Sequence, residues 1–205
     1  VFSFHPVKSI TTGEGGIITT NREKLYEKLI RLRTHGITKN YKKFIYKNQG
    51  PWYYEAQELS NHYRISDLQC ALGNSQLEKI EKFIDKRKKI AEIYNEAFQN
   101  CKNIKVGQKF NNFSSHHLFI VRISFDKIKI SRAKLMKILR CRGIGSQVHY
   151  IPIPFHPLYR KNFLNFNKIK SAVKYYNEAL SIPIYYDLSY KEQKNIIHTL
   201  KDILE

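Results

Sequence analysis

The sequence FSFHPVKSITTGEGG, residues 2–16, places one lysine, Lys8, between an aromatic run broken by Pro6 and a polar turn rich in glycine. Residues 17–20 then resume an apolar, β-branched pattern that is typical of a strand. This arrangement predicts a loop between two strands, with the stem of Lys8 against apolar neighbours and its amine directed into a cavity. Partial burial lowers the pKa of a lysine, and a neutral amine attacks carbonyl groups to form imines. The alternative is an exposed lysine in a hairpin, because most lysines are exposed.

This stretch closely resembles the cofactor-lysine segment of the DegT/DnrJ/EryC1/StrS family. The family comprises sugar-nucleotide aminotransferases that use pyridoxal 5'-phosphate and have the aspartate aminotransferase fold. Its lysine holds the cofactor as an imine, and the serine five residues earlier binds the cofactor phosphate. The resemblance therefore implies that Lys8 is the catalytic residue and that Lys8 and Ser3 bind pyridoxal phosphate. From the residues alone, Ser3 is equally an ordinary serine of a strand.

Three later segments, RTHGIT (33–38), GPWYYE (50–55) and GSQVHYIP (145–152), resemble one subgroup of the family. That subgroup aminates the C4 keto group of a UDP-4-keto-6-deoxy-N-acetyl-altrosamine on the way to pseudaminic acid. The segment ELSNHYRISD (58–67) matches the family motif that precedes a helix. The resemblance thus covers nearly the whole chain. It implies a UDP-linked keto-sugar substrate, an amino donor that is glutamate in most of the family, a homodimer and a cytoplasmic location.

Four further residues are candidates for the site. His62 stands where many members have an asparagine that reaches the cofactor phosphate of the neighbouring subunit, and a histidine also donates hydrogen bonds. Arg64 is a candidate to bind the diphosphate of the substrate. The alternative is a structural role at the beginning of the following helix. His149 and Tyr150 stand at the end of a predicted strand and are candidates for contacts with the sugar nucleotide, with a structural role as the alternative.

The fold that the resemblance implies is the C-terminal part of a fold-type-I, pyridoxal-phosphate-dependent transferase. We assign residues 1–100 to a remnant of the large α/β domain with a linking helix, and residues 101–205 to a small α+β domain. The chain opens on Val1 in the middle of a pattern, so we expect a piece of a longer protein. In the family, the acidic partner of the pyridine nitrogen and much of the phosphate cradle precede the lysine. We therefore expect this chain alone to bind pyridoxal phosphate poorly and to be inactive.

Local signals predict the individual elements. Capping residues and apolar spacing predict helices over residues 21–34 (capped by Asn21 and stopped by Gly36), 67–98, 131–143, 168–180 and 189–204. Gly73 and Asn74 predict a kink or two consecutive helices within 67–98. Strands are predicted at 117–123 and 144–150, followed by a rigid proline-rich loop over 151–159. Residues 39–49 are predicted to be a mobile polar loop, and the aromatic residues after Gly50 are typical of packing.

Composition limits the other classes of function. The formal net charge of +19 attracts polyanions, but the lysines are dispersed and no helix-turn-helix, RNP or zinc-finger pattern occurs. A basic nucleic-acid-binding module is therefore the alternative from another class. Three scattered cysteines exclude a C-x-x-C zinc site or a disulfide scaffold, and no metal or membrane span is expected. Within the enzymes, the alternative aminates another nucleotide-linked keto-sugar. A related dehydratase has histidine at the position of Lys8, so the lysine argues against that function.

Overall fold

The computed structural model describes residues 1–161 and 166–205 and divides the chain into two units, Val1–Ile80 and Glu81–Glu205. The helices are α1 (Glu23–Arg33), α2 (Asp67–Leu77), α3 (Ile80–Phe98), α4 (Arg132–Cys141), α5 (Pro157–Arg160), α6 (Lys170–Glu178) and α7 (Tyr190–Leu204). The strands are β1 (Phe2–Ser3), β2 (Gly16–Ile17), β3 (Ile37–Thr38), β4 (Glu55–Ala56), β5 (Ile104–Val106), β6 (Phe119–Ile123) and β7 (Ala179–Ile182). Short 3₁₀ turns occupy Tyr41–Lys43, Ile153–Phe155 and Phe166–Ile169.

The first unit contains two short antiparallel hairpins, β1–β2 and β3–β4, together with α1 and α2. Among the described residues, every buried apolar side chain lies outside this unit. Its large exposed apolar residues include Phe2, Ile17, Ile18, Leu68, Leu72 and Leu77. The first unit therefore presents apolar surface and has no hydrophobic core of its own.

The second unit is built on a three-stranded antiparallel sheet in the order β5–β6–β7. Alternate residues of β6 are buried, and all four residues of β7 are buried. The core is completed by helical residues from α3, α4 and α7: Ile90, Tyr94, Phe98, Leu135, Leu139, Ile196, Leu200 and Leu204. Because the sheet and three helices share these contacts, this unit has an α+β architecture.

The C-terminal end of α1 agrees with the sequence prediction, and its N-terminal end does not. Arg22, not Asn21, occupies the N-cap position, and its side chain makes no capping hydrogen bond. The prediction for Asn21 was wrong because the chain is already turned at Thr20, whose hydroxyl accepts the Arg22 N–H at 3.1 Å. The stop at Gly36 is confirmed: this residue has φ +69°, and its N–H donates to the carbonyl of Arg31.

Residues 67–98 form two consecutive helices, as predicted, but the break lies at residues 78–79 and not at Gly73. Gly73 stays inside α2, where a Cβ would lie 2.9 Å from the Cγ2 of Thr12. A close packing contact therefore explains this glycine better than a kink. Helix α3 lies almost entirely in the second unit, where it buries Tyr94 and Phe98 in the core.

Two predictions in the second unit were wrong. Residues 144–150 do not form a strand, since Gln147 makes only an isolated bridge to Ser181. The helix predicted over 168–180 ends at Glu178, and Ala179–Ile182 pairs with β6 as a buried strand instead. The proline-rich loop holds the short α5, in which Pro157 takes the first position, where a missing N–H costs nothing.

The helices predicted at 131–143 and 189–204 are confirmed with their serine caps, Ser131 and Ser189.

None of the helices in the described ranges is both long enough and apolar enough to cross a bilayer. Within residues 1–161 and 166–205, no three His, Cys, Asp or Glu side chains cluster as metal ligands would.

Candidate active site

Lys8 lies on a closed loop between β1 and β2, as predicted. The Phe4 N–H donates to the carbonyl of Gly15 at 2.9 Å, and the Thr12 N–H donates to the carbonyl of Phe4 at 3.0 Å. Inside the loop, the Lys8 N–H donates to the carbonyl of His5 at 2.9 Å. These bonds fix the backbone on both sides of the lysine.

The side chain of Lys8 is half-buried. In the part of the chain that the structure describes, no hydrogen bond, ion pair or cation–π contact involves its ammonium group. The carboxylate on the same loop, Glu14, lies 3.9 Å from the imidazole of His5 instead. Lys8 therefore carries a primary amine, the group that condenses with a carbonyl compound, without a carboxylate ion pair in the described structure.

Helix α2 supports the turn that follows Lys8. The side chain of Thr12 is buried, and its hydroxyl donates to the carbonyl of Glu14 at 2.7 Å. The Gln69 amide also donates to this carbonyl at 3.0 Å. Gln69 is at the same time the third residue of α2 and closes the capping box with Ser66. The sequence showed the capping box, but gave no sign that Gln69 ties the helix to the lysine loop.

Ser3 is exposed on β1, opposite Gly16, at the beginning of the lysine loop. Its hydroxyl accepts the His5 N–H at 3.4 Å, which is a long and weak hydrogen bond. The hydroxyl therefore keeps its capacity to donate to an anion. The structure places Ser3 and Lys8 on one loop.

The segment that carries His62 is fixed against the end of α1. Thr34 and His62 form an antiparallel bridge, and the Tyr63 N–H donates to the carbonyl of Arg33 at 2.9 Å. The ring of His62 is exposed and packs edge-to-face against that of His35, with centroids 5.5 Å apart. Its backbone is thus held while its ring stays accessible.

Arg64 is exposed and lies three residues before Asp67, the first residue of α2. The N-terminus of α2 is capped by Ser66, whose hydroxyl accepts the Gln69 N–H while the Gln69 side chain accepts the Ser66 N–H. No ion pair or hydrogen bond of the Arg64 guanidinium occurs among the residues described. The helix entry is therefore satisfied without Arg64.

In the second unit, His149 and Tyr150 follow the bridge at Gln147. The Nδ1 of His149 lies 2.7 Å from the hydroxyl of Ser181, which is buried on β7. The exposed ring of Tyr150 stands edge-to-face to the imidazole, with centroids 4.6 Å apart. The sequence missed Ser181 because it assigned this region to the end of a helix. A polar residue within the apolar run of residues 179–182 was the only available signal.

Residues 1–201 match the DegT/DnrJ/EryC1/StrS aminotransferase family. The chain belongs to this family. It is 38% identical over 208 residues to the UDP-4-amino-4,6-dideoxy-N-acetyl-beta-L-altrosamine transaminase of Campylobacter jejuni, in a match that covers 100% of this chain and 52% of that protein. It is 37% identical over 207 residues to the uncharacterised protein MJ1066 of Methanocaldococcus jannaschii, covering 99% of this chain and 53% of that protein.

The fold of this DegT/DnrJ/EryC1/StrS chain is similar to that of Helicobacter pylori PseC, described as an aminotransferase involved in the biosynthesis of pseudoaminic acid. The TM-score is 0.85 at 30% identity, and the match covers 99% of this chain and 52% of that structure. The chain therefore spans about half the length of the relatives that it matches, and it has the corresponding part of an aminotransferase fold.

Aminotransferases of this family depend on pyridoxal phosphate, and the residues of the lysine loop fit that cofactor. The half-buried Lys8 offers a primary amine, the group that condenses with the aldehyde of the cofactor. The Ser3 hydroxyl offers a donor suited to a phosphate oxygen.

Proposed function

We propose that this chain carries the catalytic lysine of a pyridoxal-phosphate-dependent sugar-nucleotide aminotransferase. Residues 1–100 would correspond to the end of the large domain with its linking helix, and residues 101–205 to the small domain. The observation that carries the proposal is the half-buried, carboxylate-free amine of Lys8 on a loop held at both ends, in a chain of this family. The dehydratase alternative lacks support, since position 8 is lysine.

Lys8 would hold the cofactor through its amine and, once released, move a proton between the substrate and the cofactor. One side chain serves both tasks because an amine acts as nucleophile and as base. The cofactor supplies an electron sink for the carbanion. Ser3 would donate to the cofactor phosphate, and His62 would reach the phosphate bound by the neighbouring subunit of a homodimer.

The substrate that we propose is a UDP-linked 4-keto-6-deoxy amino sugar, aminated at C4 with nitrogen from glutamate, as in the biosynthesis of pseudaminic acid. Similarity to the Campylobacter transaminase supports this substrate class. Arg64 is exposed and suited to the diphosphate, while His149 and Tyr150 are suited to polar contacts with the sugar nucleotide. Another nucleotide-linked keto-sugar is the alternative that the substrate assay distinguishes.

Reductive trapping tests the lysine. The chain is mixed with pyridoxal phosphate, reduced with borohydride, digested and mapped, so that even weak binding leaves a covalent label. We expect Lys8 to be labelled at lower cofactor concentration than Lys137, an exposed lysine of α4. Lys8→Arg keeps the charge and should abolish this preferred label. Equal labelling of Lys8 and Lys137 would contradict the proposal.

A substrate assay tests the reaction. Transfer from glutamate is measured with UDP-linked and dTDP-linked 4-keto-6-deoxy sugars. The chain is used alone and with the part of the Campylobacter relative that it does not match added as a separate polypeptide. We expect no transfer by the chain alone, and transfer that requires Lys8 when the second polypeptide is present. Preference for the dTDP sugar would favour the alternative substrate.

A further inference from the structure

The segment that connects β3 to β4, residues 39–54, is called the platform loop below. The sequence predicts a mobile polar loop followed by aromatic residues that pack inside the protein. The structure shows a different arrangement. The loop is fixed from within by a small set of polar and aromatic contacts, and most of its rings are turned outward.

The carboxylate of Glu55 fixes the loop. It is buried and accepts the backbone N–H groups of Ile45 and Tyr46, both at 2.8 Å. It also accepts the Gln57 amide at 2.7 Å and the Tyr53 hydroxyl at 3.3 Å. Burial alone would raise the pKa of Glu55, but the hydrogen bonds together hold this pKa below its usual value. The carboxylate is therefore ionised at neutral pH and holds the middle of the loop, at Ile45 and Tyr46, against its C-terminal end at Tyr53.

Two aromatic contacts complete the internal support. The rings of Phe44 and Tyr53 meet edge-to-face, with centroids 5.0 Å apart. The indole of Trp52 lies over Gly50, where a Cβ would come within 2.3 Å of the ring. Only glycine leaves room for this position of the indole. One face of Trp52 is thus supported, while 79% of the residue is exposed.

The outer surface of the platform loop is aromatic. Tyr41 is 70% exposed, Tyr46 is 68% exposed and Tyr54 is 55% exposed, in addition to Trp52. Trp52 and Tyr54 do not pack inside this chain, so the packing prediction for the residues after Gly50 was wrong for these two rings. Exposed aromatic groups on a fixed backbone bind ligands with little loss of side-chain entropy.

The same surface is positively charged. The platform loop contains four lysines and no acidic residue. Lys43 is neutralised by Glu27, with Nζ and Oε1 2.5 Å apart. Lys39, Lys42 and Lys47 have no acidic partner among the described residues, and the Nζ of Lys42 lies 6.0 Å from the ring centroid of Tyr41. The loop therefore combines rings with three uncompensated cations.

We infer that the platform loop binds the nucleotide of a nucleotide-linked substrate, with the base stacked on Trp52 or Tyr46 and the phosphates facing Lys42 and Lys47. A nucleotide joins a planar π system to adjacent negative charges, and this surface complements both features. A neutral sugar or a purely apolar partner would use only one of them. The choice of a nucleotide over other aromatic anions rests on the proposed function.

Intrinsic fluorescence tests the inference, because Trp52 is the only tryptophan in the chain. UDP is titrated into the full chain, with uridine and inorganic pyrophosphate as separate probes. We expect saturable quenching by UDP, and binding of uridine about tenfold weaker because the phosphate contacts are absent. Pyrophosphate should compete with UDP. Quenching that never saturates would overturn the inference.

Substitutions locate the binding surface. The double variant Lys42→Ala/Lys47→Ala should bind UDP about tenfold more weakly, whereas Lys137→Ala, on α4, should leave binding unchanged. Tyr46→Ala should also weaken binding about tenfold through lost stacking. Far-UV circular dichroism confirms that each variant keeps its fold. Equal effects of the platform and Lys137 variants would overturn the inference.

Two further measurements separate this inference from its rivals. A twelve-residue oligouridylate that binds far more tightly than UDP, with a steep dependence on salt, would show a nucleic-acid surface and overturn the inference. Lys8→Arg should leave the quenching by UDP intact. Failure of UDP binding with preferred labelling of Lys8 would refute only the platform, whereas UDP binding without that label would refute the aminotransferase proposal.

Discussion

At the scale of single residues, Gly36 has two separate reasons to be glycine. Its φ of +69° lies in the left-handed region, and a Cβ would lie 1.9 Å from the carbonyl oxygen of Glu58. Gly13 has a similar φ of +80° but open space where its Cβ would be. An alanine at Gly13 would meet only the penalty of the left-handed backbone, whereas an alanine at Gly36 would meet that penalty and a steric clash. Comparing the two substitutions therefore measures the clash.

We expect Gly36→Ala to destabilise the first unit more than Gly13→Ala does, because the backbone at Glu58 has to move. Gly13→Ala should cost only about 1–2 kcal/mol, since it meets the conformational penalty alone. Urea unfolding followed by the fluorescence of Trp52 measures both values. Equal losses would show that the contact with Glu58 does not determine the identity of residue 36.

At the scale of elements, two helices begin with serine caps of different chemistry. The Ser189 hydroxyl and N–H donate to the carboxylate of Glu192 in a full capping box. These bonds lower the pKa of Glu192. The Ser131 hydroxyl accepts the N–H of Lys134, which offers no carboxylate in return. Only the cap of α7 should therefore respond to acid.

We expect Ser189→Ala and Ser131→Ala each to lower the free energy of unfolding by about 1 kcal/mol at neutral pH. Because the pKa of Glu192 is lowered on folding, its stabilisation is complete above the ordinary glutamate pKa and is lost as the pH falls through the lowered value. At an acidic pH below this lowered pKa the effect of Ser189→Ala should shrink, while that of Ser131→Ala should not. Urea denaturation followed by circular dichroism at both pH values measures the difference. An unchanged effect of Ser189→Ala at low pH would contradict it.

The elements that the sequence predicted well are those with local signals. The caps at Ser66, Ser131 and Ser189 lie within four residues of the groups that they bind, so α2, α4 and α7 were recognisable. β7 was not, because its hydrogen-bond partners in β6 lie about sixty residues away. Its short apolar run is compatible with a helix or a strand until that partner is known.

The same distinction applies to the candidate sites. The loop of Lys8 is closed by bonds among residues 4–15, and the sequence pattern predicted it. The contact of His149 with Ser181 spans 32 residues, and that of Gln69 with Glu14 spans 55. No pattern in the neighbouring sequence predicts contacts between residues so far apart. The platform loop is a related case: its lysines and polar residues indicate a solvated loop, but the local pattern does not show that the buried carboxylate of Glu55 holds its backbone.

At the scale of the whole molecule, the two units differ in how they are stabilised. In the part of the chain described, the buried apolar side chains all belong to the second unit. Burial of apolar surface is the dominant favourable term in folding. The first unit depends instead on short hairpins, caps and polar contacts such as the partly buried ion pair of Arg31 with Glu58. We therefore expect the second unit to be more stable than the first.

We expect amide hydrogen exchange to separate the units. Amides of β6 and α7 should exchange only when the second unit unfolds, whereas amides of residues 1–80 should exchange through low-energy local opening. Leu200→Ala, at a fully buried position of α7, should lower the free energy of unfolding by about 2–5 kcal/mol and remove the slow exchange in β6 and α7. Leu68→Ala, at a position of α2 that is 85% exposed, should change stability by less than about 0.5 kcal/mol. Equally slow exchange in both units would mean that the exposed apolar surface of residues 1–80 is covered in solution. Size-exclusion chromatography with light scattering would then show whether a second copy covers it.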